Sequence, residues 1–213
     1  MGSDLHLFFN SLSNAWDLDR YVQSAAWVEP LLTPGAAVCD MGGRSCFTDW
    51  LVSKSVRLAP VVEGNYSKLQ PGEPEFDLVT CMEVIEHVKD PTGDRIEGFS
   101  FNGMGNLLGY IYSKLKPGGK LFLTTPNLLC LGAVCRMLQG LHPFVYAPHV
   151  RELAPFELRS LAEEAGFKAV RFEALRVWHQ DANALRLLHL AAEFGGKCVE
   201  GNCLFTLWEK PNA

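Results

Sequence analysis

Long apolar runs are missing from this chain of 213 residues. A membrane-spanning helix needs ~20 consecutive apolar residues, and no stretch approaches that length, so no membrane span is expected. Positive charge is also in short supply: 19 Lys and Arg stand against 24 Asp and Glu, for a net charge of −5. A chain so charged has no broad basic footprint for a polyanion, which argues against nucleic acid as its partner. Internal repeats and low-complexity tracts are absent, which excludes solenoids and linker-like segments. The first residues hold Asp4 and no basic stretch, so a secretory signal peptide is not expected and a cytoplasmic setting is. The cysteines (39, 46, 81, 130, 135, 198 and 203) are odd in number and sit in apolar surroundings, as reduced, buried thiols do. Cys130/Cys135 and Cys198/Cys203 share a four-residue gap, wider than the usual pair spacing of structural zinc sites, so zinc is not expected on them.

What remains is an ordinary globular composition, 48% hydrophobic and 20% charged, of a length that suits one domain. Residues 1–34 read as an N-terminal helical cap and 35–213 as the core. Within the cap, Phe8, Phe9, Trp16, Tyr21 and Trp27 fall in one or two helices ending at Thr33-Pro34-Gly35. Ala36–Asp40 is a first buried strand closed by Gly42-Gly43, and Ser45–Lys54 a helix with Ser45 as its N-cap. Pro60–Glu63 reads as a second short strand, followed by a Gly-Asn turn at 64–65, and Phe76–Cys81 as the next strand. A helix is expected over 104–115, stopped by Lys116-Pro117-Gly118-Gly119, then a strand over Lys120–Thr125. Leu128–Leu138 and 155–165 read as helices, the second starting at Pro155, where proline is tolerated, and ending at Gly166. Gly140–Val150 between them is an irregular loop. Phe167–Val177 and Leu204–Trp208 are the final strands, with 181–194 helical between them. The alternation of strand and helix signals means an α/β architecture with a mostly parallel sheet.

The densest chemistry follows the strand Phe76–Cys81. An apolar run passes into Glu83, Glu86 and His87, at the carboxyl end of a strand, where open α/β sheets bind their ligands. Two carboxylates and an imidazole this close are costly to desolvate without a partner. A solvated helix start, with the glutamates near its positive end, is the plainer alternative.

Taken in order, Asp40-Met41-Gly42-Gly43, Phe76-Asp77-Leu78-Val79, Glu83-Val84-Ile85-Glu86-His87 and Leu115-Lys116-Pro117-Gly118-Gly119-Lys120 resemble the class I S-adenosylmethionine-dependent methyltransferases. Leu121–Asn127 fits the strand after the Pro-Gly-Gly turn, and His149-Val150-Arg151-Glu152-Leu153 leading into Phe156-Glu157-Leu158 fits the family's later loop and helix. The resemblance covers about residues 35–175. It implies a Rossmann-like, doubly wound, mostly parallel sheet with a C-terminal antiparallel strand pair, and S-adenosylmethionine as cofactor. On this resemblance Asp40, Gly42 and Gly43 build the loop for the cofactor's methionine carboxylate, with Arg44 within reach of it. Cys81 and Met82 join the cofactor-side candidates, Glu63 is a candidate for the ribose hydroxyls and Asn65 for the adenine. The chain departs from the family in two places. Arg44 and Cys46 stand where further glycines are usual, and residues 54–75 are too few for the two strands and helix the family fits there. One strand and its crossover helix are therefore expected to be abbreviated. Counting forward from Asp40 places Glu63 at the ribose; counting back from Phe76 places Gly64-Asn65 at the adenine contact.

The segment Glu83-Val84-Ile85-Glu86-His87 is also similar to the metal-binding segment of small-RNA 2′-O-methyltransferases, and to a segment of ubiquinone-pathway O-methyltransferases. In the RNA enzymes both glutamates, the histidine and a second histidine downstream hold a divalent ion that binds substrate hydroxyls. The resemblance implies Glu83, Glu86, His87 and His149 as ligands, His142 in reserve, and magnesium, manganese or zinc as the ion. His87 as a direct general base, or as a residue that merely lines the pocket, are the alternatives. Trp16, Tyr21 and Trp27 could lid the cofactor, but core packing is the preferred reading for them. Phe144 and Tyr146 in the irregular loop are substrate-contact candidates. The function implied is O-methylation of a small-molecule hydroxyl, for which a chelating vicinal diol or catechol suits the metal. An RNA 2′-hydroxyl is the alternative acceptor, and a catalytically degenerate methyltransferase fold that binds a partner is the alternative from another class.

Overall fold

The computed structural model describes residues 2–10, 16–59, 66, 69–90, 102–178 and 201–212. In chain order its elements are α1 (Gly2–Asn10), α2 (Leu18–Val28), β1 (Ala37–Met41), α3 (Cys46–Val52), β2 (Arg57–Leu58), β3 (Phe76–Met82), α4 (Asn102–Lys114), β4 (Leu115–Pro126), α5 (Leu131–Leu138), α6 (Pro155–Glu164), β5 (Lys168–Leu175) and β6 (Cys203–Glu209). The strands form one sheet in the order β2-β1-β3-β4-β6-β5. The first four run parallel, and β6 lies antiparallel to both β4 and β5. This is the mostly parallel sheet with an antiparallel C-terminal pair that the sequence predicts.

Period-two alternation along the strands divides the apolar side chains between two cores. Cys39, Met41, Val79, Cys81, Leu121, Leu123, Leu204 and Trp208 point to one face, where Leu107, Leu108 and Ile111 of α4 and Leu158 and Leu161 of α6 cover them. Val38, Leu78, Phe122, Phe205 and Leu207 point to the other, under Phe9 of α1, Trp27 of α2 and Phe47 and Trp50 of α3. Trp27 packs against the rings of Phe122 and Phe205, so it is a core aromatic, as preferred. Tyr21 stacks on Phe9 and Phe47, whereas Trp16 is exposed. The cap helices, with α3, thus form one of the two layers that bury the sheet.

The chain leaves β1 toward β2 on one side and returns to β3 on the other. The crevice at the carboxyl ends of β1 and β3 is therefore the topological switch point, the place where open α/β sheets hold ligands.

Several boundaries differ from the sequence reading. The first edge strand falls at Arg57–Leu58, paired with Ala37 and Val38, and Pro60–Glu63 lies outside the described residues, as does the helix expected at 181–194. β4 begins at Leu115 rather than Lys120, because Leu115 pairs with Phe76 before a register shift at Leu78. α5 begins three residues late: Asn127 Oδ1 accepts the Leu129 N–H at 3.0 Å, and the Cys130 sulfur caps the Ala133 N–H at 3.4 Å. Among the described residues no helix is long and apolar enough to cross a membrane.

Candidate active site

The first wall of the crevice is the loop after β1. Asp40 is 2% exposed, and its two oxygens accept the hydroxyls of Thr80 on β3 and Thr48 on α3, each at 2.6 Å. Burial raises its pKa, and the two threonine bonds oppose that rise. Asp40 therefore ties β1, β3 and α3 together behind the loop. Gly42 and Gly43 follow with φ of +103° and +93°, a backbone conformation that side chains resist. A β carbon on Gly42 would lie 2.4 Å from Val84 Cγ2, so the loop touches the segment after β3. Ser45 then caps α3 in a reciprocal box with Thr48, as the sequence predicts. The Arg44 side chain is 77% exposed and pairs with Asp49 at 2.7 Å. Cys81 is fully buried in the core beneath, and burial pushes its thiol well up; Met82 ends β3 above it, half-buried. Glu63 and Asn65 lie outside the described residues.

The second wall follows β3. Glu83 adopts φ +55°, unusual for a residue with a side chain, while its N–H donates to Thr124 O at 2.9 Å. Its carboxylate accepts the Thr124 hydroxyl at 2.8 Å and the Cys203 S–H at 3.5 Å. A single 3-10 turn, Ile85–His87, comes next. Glu86 is entirely buried; its Oε2 accepts the Thr125 hydroxyl at 2.9 Å, and its Oε1 has no hydrogen-bond partner among the described residues.

The main chain of Glu86 brings in the third wall. Its carbonyl accepts the N–H groups of Val150 at 2.8 Å and Arg151 at 3.2 Å, which docks the irregular loop. His149 thereby reaches the site with a side chain only 7% exposed, its Nε2 4.0 Å from Glu86 Oε1 and its Nδ1 2.7 Å from Glu152 Oε1. The rings of His87 and His149 meet edge-on with centroids 4.7 Å apart, and Tyr146 lies against both. Glu86, His87 and His149 each offer a ligand atom within 4.8 Å of the others.

Three of the four sequence-derived metal candidates thus converge. Glu83 does not join them: its left-handed backbone turns the carboxylate to Thr124 and Cys203 instead. His142, the reserve, is exposed and packs against Phe144, whose N–H it accepts at 3.3 Å. Electrostatics distinguish the members. Burial, and then the charge of Glu83, raise the Glu86 carboxyl well above the usual range. Burial also raises Glu83, opposed first by Arg20. Burial, and then the neighbouring His149, lower His87, which favours its neutral imidazole.

Two further residues were not singled out in the sequence. Arg20 of α2 is 6% exposed; its Nε and Nη2 donate to Asp17 at 3.3 and 2.9 Å, and its guanidinium lies 4.6 Å from the Tyr21 ring centre. Burial alone would lower its pKa, but Glu83, Tyr21 and Asp17 outweigh it and keep the cation charged. The available signal was helical spacing, since Arg20 shares a face with Ser24 and Trp27. The other is Glu152, fully buried, three residues beyond His149.

A family profile described as a methyltransferase domain matches residues 10–171, most of the chain. The chain is similar to a ubiquinone biosynthesis O-methyltransferase of Xanthomonas euvesicatoria pv. vesicatoria (strain 85-10), 37% identical over 110 residues, which are 46% of this chain and 37% of that protein. It is similar to the protein of that name from Thiobacillus denitrificans (strain ATCC 25259 / T1), 34% identical over 125 residues, covering 54% of this chain and 45% of the relative. The chain therefore spans less than half the length of these curated relatives. Among solved structures, a SAM-dependent methyltransferase from Archaeoglobus fulgidus superposes with a TM-score of 0.61 at 18% identity, over 90% of this chain and 94% of that one. The Burkholderia thailandensis 1,6-didemethyltoxoflavin-N1-methyltransferase, solved with 1,6-didemethyltoxoflavin and S-adenosylhomocysteine, superposes with a TM-score of 0.56 at 16% identity, over 90% and 78% of the two chains. At such identities the likeness is one of fold. The chain belongs to the methyltransferase-domain family, and its fold is that of the class I S-adenosylmethionine-dependent methyltransferases.

Proposed function

We propose that this chain transfers the methyl group of S-adenosylmethionine to a hydroxyl oxygen of a small molecule, with a vicinal diol or catechol as the acceptor class. Glu86, His87 and His149 would hold a divalent ion, magnesium, manganese or zinc. The observation that carries the reading is their convergence within 4.8 Å at the carboxyl end of β3, across a van der Waals contact from the glycine loop. The relatives named ubiquinone biosynthesis O-methyltransferase support an oxygen acceptor. The donor set fits a cation: Glu86 Oε1 is buried, has no hydrogen-bond partner among the described residues and faces an imidazole nitrogen. Mixed carboxylate and imidazole ligands suit the named ions.

Methyl transfer forms an O–C bond, breaks the sulfonium C–S bond, and requires the acceptor to lose a proton. A bound divalent ion supplies Lewis acidity toward the acceptor hydroxyl. The chain does the rest by position. Gly42 and Gly43 let the backbone approach the cofactor, with Asp40 bracing the loop from behind. Arg20, a buried cation beside Glu83, offers charge to the cofactor's carboxylate, and Arg44 offers a second cation from the rim. Glu63 and Asn65 remain the proposed ribose and adenine contacts, and Phe144 and Tyr146 line the acceptor side. His87 supports a second reading, in which it takes the acceptor's proton directly, because it is the exposed member of the cluster and its neutral form is favoured. The net charge of −5 disfavours RNA as acceptor. A cytoplasmic setting belongs to the proposal.

Calorimetric titration with S-adenosylmethionine, followed by turnover of a catechol with and without exhaustive chelation, tests the proposal. Glu86→Ala or His87→Ala should abolish turnover while cofactor affinity stays nearly intact. Folded protein that binds no S-adenosylmethionine overturns the enzyme reading in favour of a degenerate fold. Turnover indifferent to chelation overturns the ion and leaves His87 as the base.

A further inference from the structure

We infer that Glu152 is a positioning residue: by accepting the Nδ1 proton of His149 it turns the Nε2 lone pair toward Glu86 and His87. The inference rests on the proposed ion site and adds a residue outside the ligand set that acts on it through its hydrogen bond to His149.

Glu152 is 0% exposed, and stability does not account for it. Its Oε2 is buried with no hydrogen-bond partner among the described residues, and a buried carboxylate left half-satisfied is costly. Its Oε1 serves two donors at once, the Val145 N–H at 2.6 Å and His149 Nδ1 at 2.7 Å. The first bond settles the second. A backbone N–H can only donate, and a protonated carboxyl oxygen is a poor acceptor, so Oε1 is the unprotonated oxygen. The proton of the contact with His149 therefore sits on Nδ1. In a neutral imidazole the other nitrogen, Nε2, must then be the acceptor, and it is Nε2 that lies 4.0 Å from Glu86 Oε1. A carboxylate behind an imidazole in this way fixes both the tautomer and the ring orientation of a metal-ligating histidine. The neighbouring backbone holds the arrangement still. Val150 and Arg151 are anchored on the Glu86 carbonyl, and Leu153 O accepts the Leu128 N–H at 3.1 Å.

The same geometry makes glutamine at this position a stringent control. Because the Val145 N–H requires an oxygen, the amide of Glu152→Gln must present Oε1 at that point and so also accept from His149. The charge is lost, but the tautomer is kept. Glu152→Met fills the space without an acceptor.

Imidazole nitrogen NMR of metal-free protein, at a pH where the rings are neutral, reads the tautomer directly. Wild type and Glu152→Gln should show His149 as the Nδ1–H form, and Glu152→Met should move it to the Nε2–H form. Cobalt(II) titration followed by its visible spectrum reads the ligand set. Affinity should fall about 10- to 100-fold in Glu152→Met, with most of it restored in Glu152→Gln. Wild-type protein with His149 as Nε2–H overturns the inference without any variant, so a misfolded Glu152→Met does not shelter it. Nδ1–H in all three proteins, or cobalt affinity unchanged in folded Glu152→Met, overturns it as well. The ion reading fails separately, if wild type binds no cobalt or if His149→Ala binds it equally well, and neither result alters what NMR says of the tautomer.

Discussion

Replacing Gly42 with alanine tests the contact between the two halves of the site. Two costs are separable in the structure. Gly42 sits at φ +103°, and forcing a side chain into left-handed backbone costs ~1–2 kcal/mol. The new β carbon would also stand 2.4 Å from Val84 Cγ2. Val84 is 4% exposed in the core, and its β-branched side chain has few rotamers to retreat into. Overpacking of that kind costs ~1–3 kcal/mol. The sum, about 2–5 kcal/mol, is a large part of the ~5–15 kcal/mol that holds an ordinary domain folded. It corresponds to a fall in Tm of roughly 4–20 °C in a chain of this size.

A double-mutant cycle in urea separates the terms. Val84→Ala alone should cost about 1.5–2.5 kcal/mol for the two buried methyl groups it removes. In the Gly42→Ala background the same change also removes the clash, so it should cost little or stabilise. The coupling energy should reach at least ~1 kcal/mol, within the range for residues in contact. The backbone strain remains, so the double variant should stay below Val84→Ala in stability. Strict additivity, or a Gly42→Ala protein within 0.5 kcal/mol of wild type, the usual spread for inert surface changes of about that size, would refute the close contact.

Thr80→Val keeps the shape of a fully buried side chain but leaves Asp40 Oδ1 without its 2.6 Å donor; urea unfolding should show a loss of about 1–3 kcal/mol, and a neutral result would show that Asp40 does not brace the loop. Arg20→Met should weaken S-adenosylmethionine binding about 10- to 100-fold by calorimetry, the equivalent of one charge-assisted hydrogen bond of ~1.5–3 kcal/mol; unchanged affinity would remove Arg20 from the cofactor side. Glu86 gives a pH prediction for metal-free protein. Its folded pKa is raised, so the native state holds the proton more tightly than the unfolded chain, and the resulting stability is full below the ordinary glutamate value of about 4.3. That stability is lost as pH rises through the folded value, so Glu86→Gln should overtake wild type in urea midpoint as pH increases, and a gap that does not widen with pH would refute the buried charge.

The fold was legible where the code is local. β1, β3 and β4 are apolar runs ended by turn residues, and Ser45 marks the start of α3. Boundaries set by distant partners or by side-chain caps were not: β4 starts early because Leu115 meets Phe76, and α5 starts late because Asn127 turns the chain at Leu129 and Cys130 caps the helix. The site divides in the same way. Glu86 and His87 are neighbours in sequence and in space. Glu83 and Glu86 look interchangeable in the pattern Glu-x-x-Glu, since a continuous helix would place both on one face. The backbone instead is left-handed at Glu83 and helical only over Ile85–His87, which sends the two carboxylates to different partners. Arg20 meets the charge of Glu83 only through packing between segments far apart in the chain, and Glu152 bonds Val145 and His149 only because the irregular loop folds back on itself; periodicity alone assigns neither a partner.

The contact between Gly42 and Val84 gives the two halves of the site a common origin. Val84 lies between Glu83, which faces Arg20 and the cap, and Glu86, which faces the histidines. A glycine loop seated on the Val84 side chain therefore fixes the proposed cofactor side relative to the proposed acceptor side. Orientation of this kind is what a displacement at carbon demands, since small misplacements of the reacting atoms are expensive in rate. The irregular loop is anchored to the same turn through the Glu86 carbonyl. One 3-10 turn thus places the carboxylate, the first imidazole and the loop that delivers the second. A change that shifts this turn should move cofactor binding and cluster geometry together, whereas Glu152→Gln, whose bonds reach only Val145 and His149 of the irregular loop, should leave cofactor affinity untouched.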